Sequence, residues 1–218
     1  MDWGDMGHTT AGLLGERYAL VVVNGDNDML DVTCTKTRQQ PWKHLDDLAA
    51  RWGHYPAMIR CDNAYEFVND TRFKAWCEKH QITLDPVEGY RHRMQGRVEN
   101  AVNEIKSHSR IALGHAGLPA RFWSETSRMV AAIHNVFPRE GSTAFRRAQP
   151  HNLHFDPNQL FHVAGCLVII KLAKDHPRVQ DSSNGPRGLE GLFFGCHPTS
   201  PLVRVWVPSL GKIVLSGE

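Results

Sequence analysis

Along the first 138 residues, short apolar runs typical of strands alternate with three- and four-residue apolar steps typical of helices, and that order limits the fold more than any other feature. Arg17 to Asn24 (Arg-Tyr-Ala-Leu-Val-Val-Val-Asn) and Met29 to Thr35 are rich in β-branched residues, and Asn24-Gly25-Asp26-Asn27-Asp28 between them is dense in turn formers. The spacing predicts a β-hairpin, preceded by a strand at about residues 2 to 7 that carries Asp5. Pro41 to Trp52 reads as a helix: Pro41 suits the first turn, Trp42, Leu45, Leu48, Ala49 and Trp52 share a face, and Gly53 stops it. A short strand at Ala57 to Cys61 ends on Asp62, a helix over Asp70 to His80 takes Asn69 or Asp70 as its N-cap, and Ile82 to Val87 is another strand. The order βββαβαβ implies a mixed sheet covered by helices, an α/β fold.

Residues 88 to 96 hold two glycines and no usable period, so a mobile loop is expected there. A long helix follows, with Val98, Val102, Ile105, Ala112 and Ala116 as its apolar stripe and Glu99, Asn103, Lys106 and Arg110 on the neighbouring face. Leu118-Pro119 breaks it, and a second helix over Ala120 to Asn135 ends before Pro138. The pattern then loosens, and four short strand-like runs, 166 to 171, 191 to 195, 202 to 207 and 212 to 215, suggest a small β-barrel or β-meander. The expected organisation is a core over residues 1 to 138, a linker over 139 to 160 and a small β module over 161 to 218.

Composition removes several function classes. No apolar run approaches the length of a membrane span, and the first residues lack the basic-then-apolar order of a secretory signal, so an intracellular protein is expected. The five cysteines never form a C-x-x-C pair, which argues against a zinc ribbon and for buried free thiols. His151 and His154 have i, i+3 spacing but lack two further ligands at matching spacing. The net charge of +2 is unevenly spread: residues 86 to 150 carry 10 Lys/Arg against 5 Asp/Glu, as a surface that meets phosphates would, or a solvated helical face.

Three acids stand where chemistry is expected: Asp5 on the first strand, Asp62 at the end of a later strand, and Glu99 at the start of the long helix. If they converge, they could hold two hard divalent cations, Mg²⁺ or Mn²⁺, through oxygen ligands for in-line displacement at phosphorus. Taken singly, Asp62 also suits a turn cap and Glu99 a first-turn acid favoured by the helix dipole.

Cys61-Asp62-Asn63-Ala64-Tyr65-Glu66-Phe67 resembles the D-N-G-x-E-F segment of integrases of copia-type retrotransposons and retroviruses, and Met94-Gln95-Gly96-Arg97-Val98-Glu99-Asn100 resembles their Q-N-G-x-x-E-R segment. Asp5-Met6-Gly7 stands where the family's first aspartate does. Leu118-Pro119-Ala-Arg-Phe122-Trp123 is similar to L-P-x-x-F-W and Asn135-Val-Phe-Pro138 to N-x-x-P. His162-Val-Ala-Gly165-Cys166 and Gly191-Leu-Phe-Phe-Gly195-Cys196 are similar to elements beyond the family's core.

The resemblance implies an RNase H-like mixed five-stranded sheet flanked by helices, with a small C-terminal β-barrel-like module. It implies Asp5, Asp62 and Glu99 as catalytic and metal-binding carboxylates, and metal-dependent processing of DNA 3′-ends followed by strand transfer. Lys106 and Asn103 on the glutamate helix, with Arg91, Arg93 and Arg97 before them, are the implied DNA contacts. Double-stranded DNA and further copies of the chain are the implied partners, with the nucleus as the place of action in a eukaryotic host.

Ala64, Gln95 and Asn100 depart from the family pattern without removing a metal ligand. The family's N-terminal His/Cys zinc module has no counterpart, so a fragment or decayed copy of a longer polyprotein is expected. Alternatives are an insertion-sequence transposase, an inactive or domesticated DNA-binding or assembly module, and, with least support, a ribonuclease of RNA:DNA hybrids.

Overall fold

A computed structural model describes residues 1–6, 10–87, 92–138, 141–148, 162–171, 188–196 and 202–217, the side chains of 92–95 excepted. Three antiparallel strands open the chain: β1 (Asp2–Asp5), β2 (Tyr18–Val23) and β3 (Leu30–Thr35). They pair in the order β1-β2-β3, with Asp2 opposite Val21 and Val23 opposite Leu30. Asn24 and Asn27 shape the hairpin turn by accepting, through their side-chain oxygens, the amides of Asp26 and Met29 at 2.9 and 3.0 Å.

Helix α1 (Pro41–Trp52) starts on Pro41 and ends at Gly53, whose φ of 80° is the left-handed conformation of a helix terminus. Next come β4 (Met58–Cys61), a single turn of helix α2 (Tyr65–Val68), α3 (Thr71–Lys79) and β5 (Thr83–Pro86). Asp70 caps α3, accepting the Arg72 amide at 2.9 Å. Strands β4 and β5 pair in parallel as a separate two-stranded sheet. The expected five strands are therefore present as a group of three and a group of two. The Met1 nitrogen donates to the Arg60 carbonyl, and Met1, Trp3, Leu20, Ile59 and Cys61 share one apolar core with Leu45, Phe67 and Phe73, so the start of β1 meets the end of β4.

Helix α4 (His92–His115) begins four residues earlier than the end of the expected loop, running through Gly96, while 88–91 lie outside the described residues. Its buried face is Val98, Ala101, Val102, Ile105, Ser109 and Leu113, packed on the other side of the three-stranded sheet against Ala19, Val21, Leu30 and Val32. A 3-10 turn at Ala120–Phe122 leads into α5 (Trp123–Val136). The buried Ser109 and Ser127 hydroxyls bond at 3.1 Å, which allows two polar side chains between α4 and α5. A short helix α6 (Ala144–Ala148) occupies part of the expected linker.

The C-terminal strands β6 (Leu167–Lys171), β7 (Gly188–Cys196), β8 (Val203–Val207) and β9 (Lys212–Ser216) pair antiparallel in chain order, an open meander among the described residues. This sheet packs directly on the core. Phe194 is 1% exposed and stacks on Phe122 with ring centroids 5.3 Å apart. Beside it, Glu125 of α5 is completely buried and accepts from Arg128 at 2.6 Å and from Arg204 of β8 at 3.0 and 2.8 Å. No described helix is long and apolar enough to cross a membrane.

Candidate active site

Side-chain alternation along β1 decides which acid can take part in a site, because neighbouring residues of a strand face opposite sides. Trp3 joins the core on the α1 and α3 side and stacks on Phe67. Gly4 faces α4: a Cβ added there would stand 3.3 Å from Val102 Cγ1, so the missing side chain lets the helix cross the strand closely. Asp2 shares the face of Gly4, two residues closer to the chain start. Glu99 is one helical turn before Val102 and so projects toward that same end of β1.

Asp62 follows β4 directly, where the end of β4 meets the start of the chain. Its Oδ1 accepts the Ala64 amide at 3.3 Å, the turn that starts α2, and the side chain stays half-buried.

Asp2 feels the charge of both the other acids. Asp2 is held above the ordinary carboxyl range, first by burial and then by the negative charge of Asp62, with Glu99 adding in the same direction; the Trp3 amide, donating to Oδ1 at 2.7 Å, opposes this. Burial likewise pushes the neighbouring Cys61 thiol up to about 12. Asp5, by contrast, lies three residues along β1, opposite Tyr18, on the face away from α4. At about 3.3 Å per residue it stands roughly 10 Å further along the strand than Asp2. The structure brings Asp62 and Glu99 into the electrostatic neighbourhood of Asp2, and Asp5 stands on the other face of β1.

Asp2 was not singled out in the sequence because the motif centres on Asp5. The signal was available: a large apolar Trp3 flanked by Asp2 and Gly4 fixes the inward and outward phases of β1.

The donor chemistry suits a hard divalent cation, since the group is all carboxylate. Among the described residues, however, no three His, Cys, Asp or Glu side chains are gathered closely enough to form a ready donor set.

Of the candidate DNA contacts, Asn103 is exposed and Lys106 half-buried, both on the Glu99 face of α4. Arg97 is directed elsewhere: it donates to the Gly25 carbonyl at 2.8 Å and pairs with Asp28 at 3.4 Å, tying α4 to the β2–β3 turn. Arg93 lies in α4 with its side chain outside the description, and Arg91, His151 and His154 lie outside the described residues. All five cysteines are free; Cys34, Cys61 and Cys77 are buried and Cys166 and Cys196 half-buried.

No family model matches this chain, and no curated protein matches it. Among solved structures it is similar to the HTLV-2 integrase catalytic core domain, described in complex with magnesium in a dimeric form. The likeness has a TM-score of 0.52 at 16% identity and covers 67% of this chain and 94% of that one. At that identity it shows the fold: the mixed α/β arrangement is that of an integrase catalytic core.

Proposed function

We propose that the chain is a retroelement integrase of copia type, a polynucleotidyl transferase that processes DNA 3′-ends and joins them to target DNA. The observation that carries this reading is a fold similar to an integrase core in which the charges of Asp62 and Glu99 both act on Asp2. Asp2 takes the role that the sequence motif gave to Asp5.

Asp2, Asp62 and Glu99 would hold Mg²⁺ or Mn²⁺, and bound there two such ions supply Lewis-acid activation of a water or 3′-hydroxyl and stabilisation of the leaving oxygen. The chain's own residues do the rest. Gly4 admits α4 close to β1 and so sets the Glu99 position, and the Asp62–Ala64 turn fixes the second carboxylate. Asn103 and Lys106, one and two turns along α4 from Glu99, meet the DNA backbone. The magnesium and the dimeric form named for the similar structure support metal use and self-association for this chain.

A second reading, a DNA-binding or assembly module without transferase activity, is favoured by one observation: the described acids form no ready donor set. Strand transfer or disintegration on a branched DNA oligonucleotide with Mg²⁺ or Mn²⁺ separates the two. Asp62→Asn and Glu99→Gln each reduce the rate by a hundredfold or more, in order of magnitude, if the carboxylates act as metal ligands. Activity retained by both variants would overturn the site; a folded wild-type chain inactive with both metals supports the second reading.

A further inference from the structure

A groove of about 380 Å³ runs along the outer edge of β3 between α1 and α5, two strands away from the carboxylates. The β2–β3 ladder determines which backbone groups open onto it. Asn24 donates to the Met29 carbonyl at 2.8 Å, so in this register Asp31 and Thr33 bond to β2, while the N–H and C=O of Leu30 and Val32 point outward. The Leu30 pair is already satisfied. Asn135 of α5 accepts its N–H at 2.7 Å and donates to its C=O at 2.8 Å, imitating one rung of a further strand. Two residues along, no described residue bonds the outward groups of Val32, although Val32 is only 8% exposed. Recessed amides of this kind favour a partner strongly.

We propose that this groove receives a short extended segment of a partner protein, which adds to β3 as a further strand. A strand pairs about 4.8 Å from its neighbour, whereas a helix about 10 Å wide presents no free backbone groups to Val32. The side chain opposite Val32 shares its face and meets Met129, Val136 and Phe194, so it is apolar. The flanking side chains turn to α1, where Arg51 is engaged by Asp31 at 2.6 Å but Asp47 has no cation within salt-bridge distance among the described residues. One of those positions is basic, set by Asp47. The occupant is therefore an extended segment with a basic residue beside an apolar one, and this inference is independent of the proposed strand transfer.

The test uses the full chain, labelled for amide NMR, and the capped peptide acetyl-Thr-Arg-Val-Arg-Thr-amide as probe. Saturable shifts centred on the Val32 amide are expected. N-methylation of the peptide's valine, which deletes the donor facing Val32 without altering the protein, weakens binding by about tenfold or more. Ala132→Trp, which fills the groove from α5, removes the Val32 shifts. The proposal is overturned if millimolar peptide produces no saturable shift at Val32, or if the N-methylated peptide binds equally well. It is also overturned if Ala132→Trp turns a self-associating chain monomeric in sedimentation while the peptide fails to bind wild type, since a second copy then occupies the groove.

Discussion

Asp2 and Asp5 differ by three steps on one short strand, and that spacing separates a carboxylate inside the acidic cluster from one on the opposite face. Asp2 is raised above its ordinary range in the folded chain, so the folded state binds its proton more tightly than the unfolded state does. The stability that the protonated group brings is complete below the unfolded carboxyl value of about 4 and is lost as pH rises through the raised value. Asp2→Asn should therefore raise the melting temperature at pH 7 in a metal chelator and leave it unchanged near pH 3, as thermal unfolding across pH would show. Divalent cations should raise the melting temperature of the wild type more than that of the variant, because the ion compensates the same repulsion. A melting temperature lowered by Asp2→Asn at pH 7 would contradict the electrostatic account. Arg97 makes a second residue-scale case. Its contacts to Gly25 and Asp28 predict that Arg97→Ala costs up to about 1 kcal/mol of stability in urea unfolding and barely changes DNA affinity.

Helix α5 connects the molecule at the scale of elements. At one end Glu125 joins Arg128 to Arg204 of β8, and at the other Asn135 bonds both backbone groups of Leu30 at the sheet edge. Removing one partner of a buried charge pair leaves the other uncompensated, so Arg204→Ala should destabilise by roughly 3 kcal/mol and speed amide exchange throughout β7 and β8. Unaltered exchange there would show that Phe194 packing alone holds the C-terminal sheet. Asn135→Ala removes two hydrogen bonds and should cost about 1 to 3 kcal/mol, with faster exchange at the Leu30 amide. Most elements were legible in the sequence because their signals are local: Pro41 and Gly53 bound α1, and Asp70 caps α3. The start of α4 was not, since Gly96 and the polar residues around it carry no apolar period while backbone hydrogen bonds of a 24-residue helix carry it through them. The single-turn α2 and the five-residue α6 are too short for periodicity to register.

For the molecule as a whole, the sequence motifs pointed to the integrase-like fold and to Asp62 and Glu99, while the nearness of Asp2 to them depends on strand phase, and the Glu125–Arg204 contact on chain positions 79 apart that no local pattern links. The basic middle of the chain predicts DNA binding that weakens as salt rises, and Lys106→Ala should lower the slope of log affinity against log salt by about one without changing sequence preference. The central claim is that Asp2, together with Asp62 and Glu99, forms the catalytic carboxylate group. Metal-dependent disintegration of a branched DNA substrate by Asp2→Asn and Asp5→Asn, measured side by side with the wild type, tests it most directly. The account predicts loss of activity in Asp2→Asn, by about a hundredfold or more, and near wild-type rates in Asp5→Asn; the reverse pattern would contradict it.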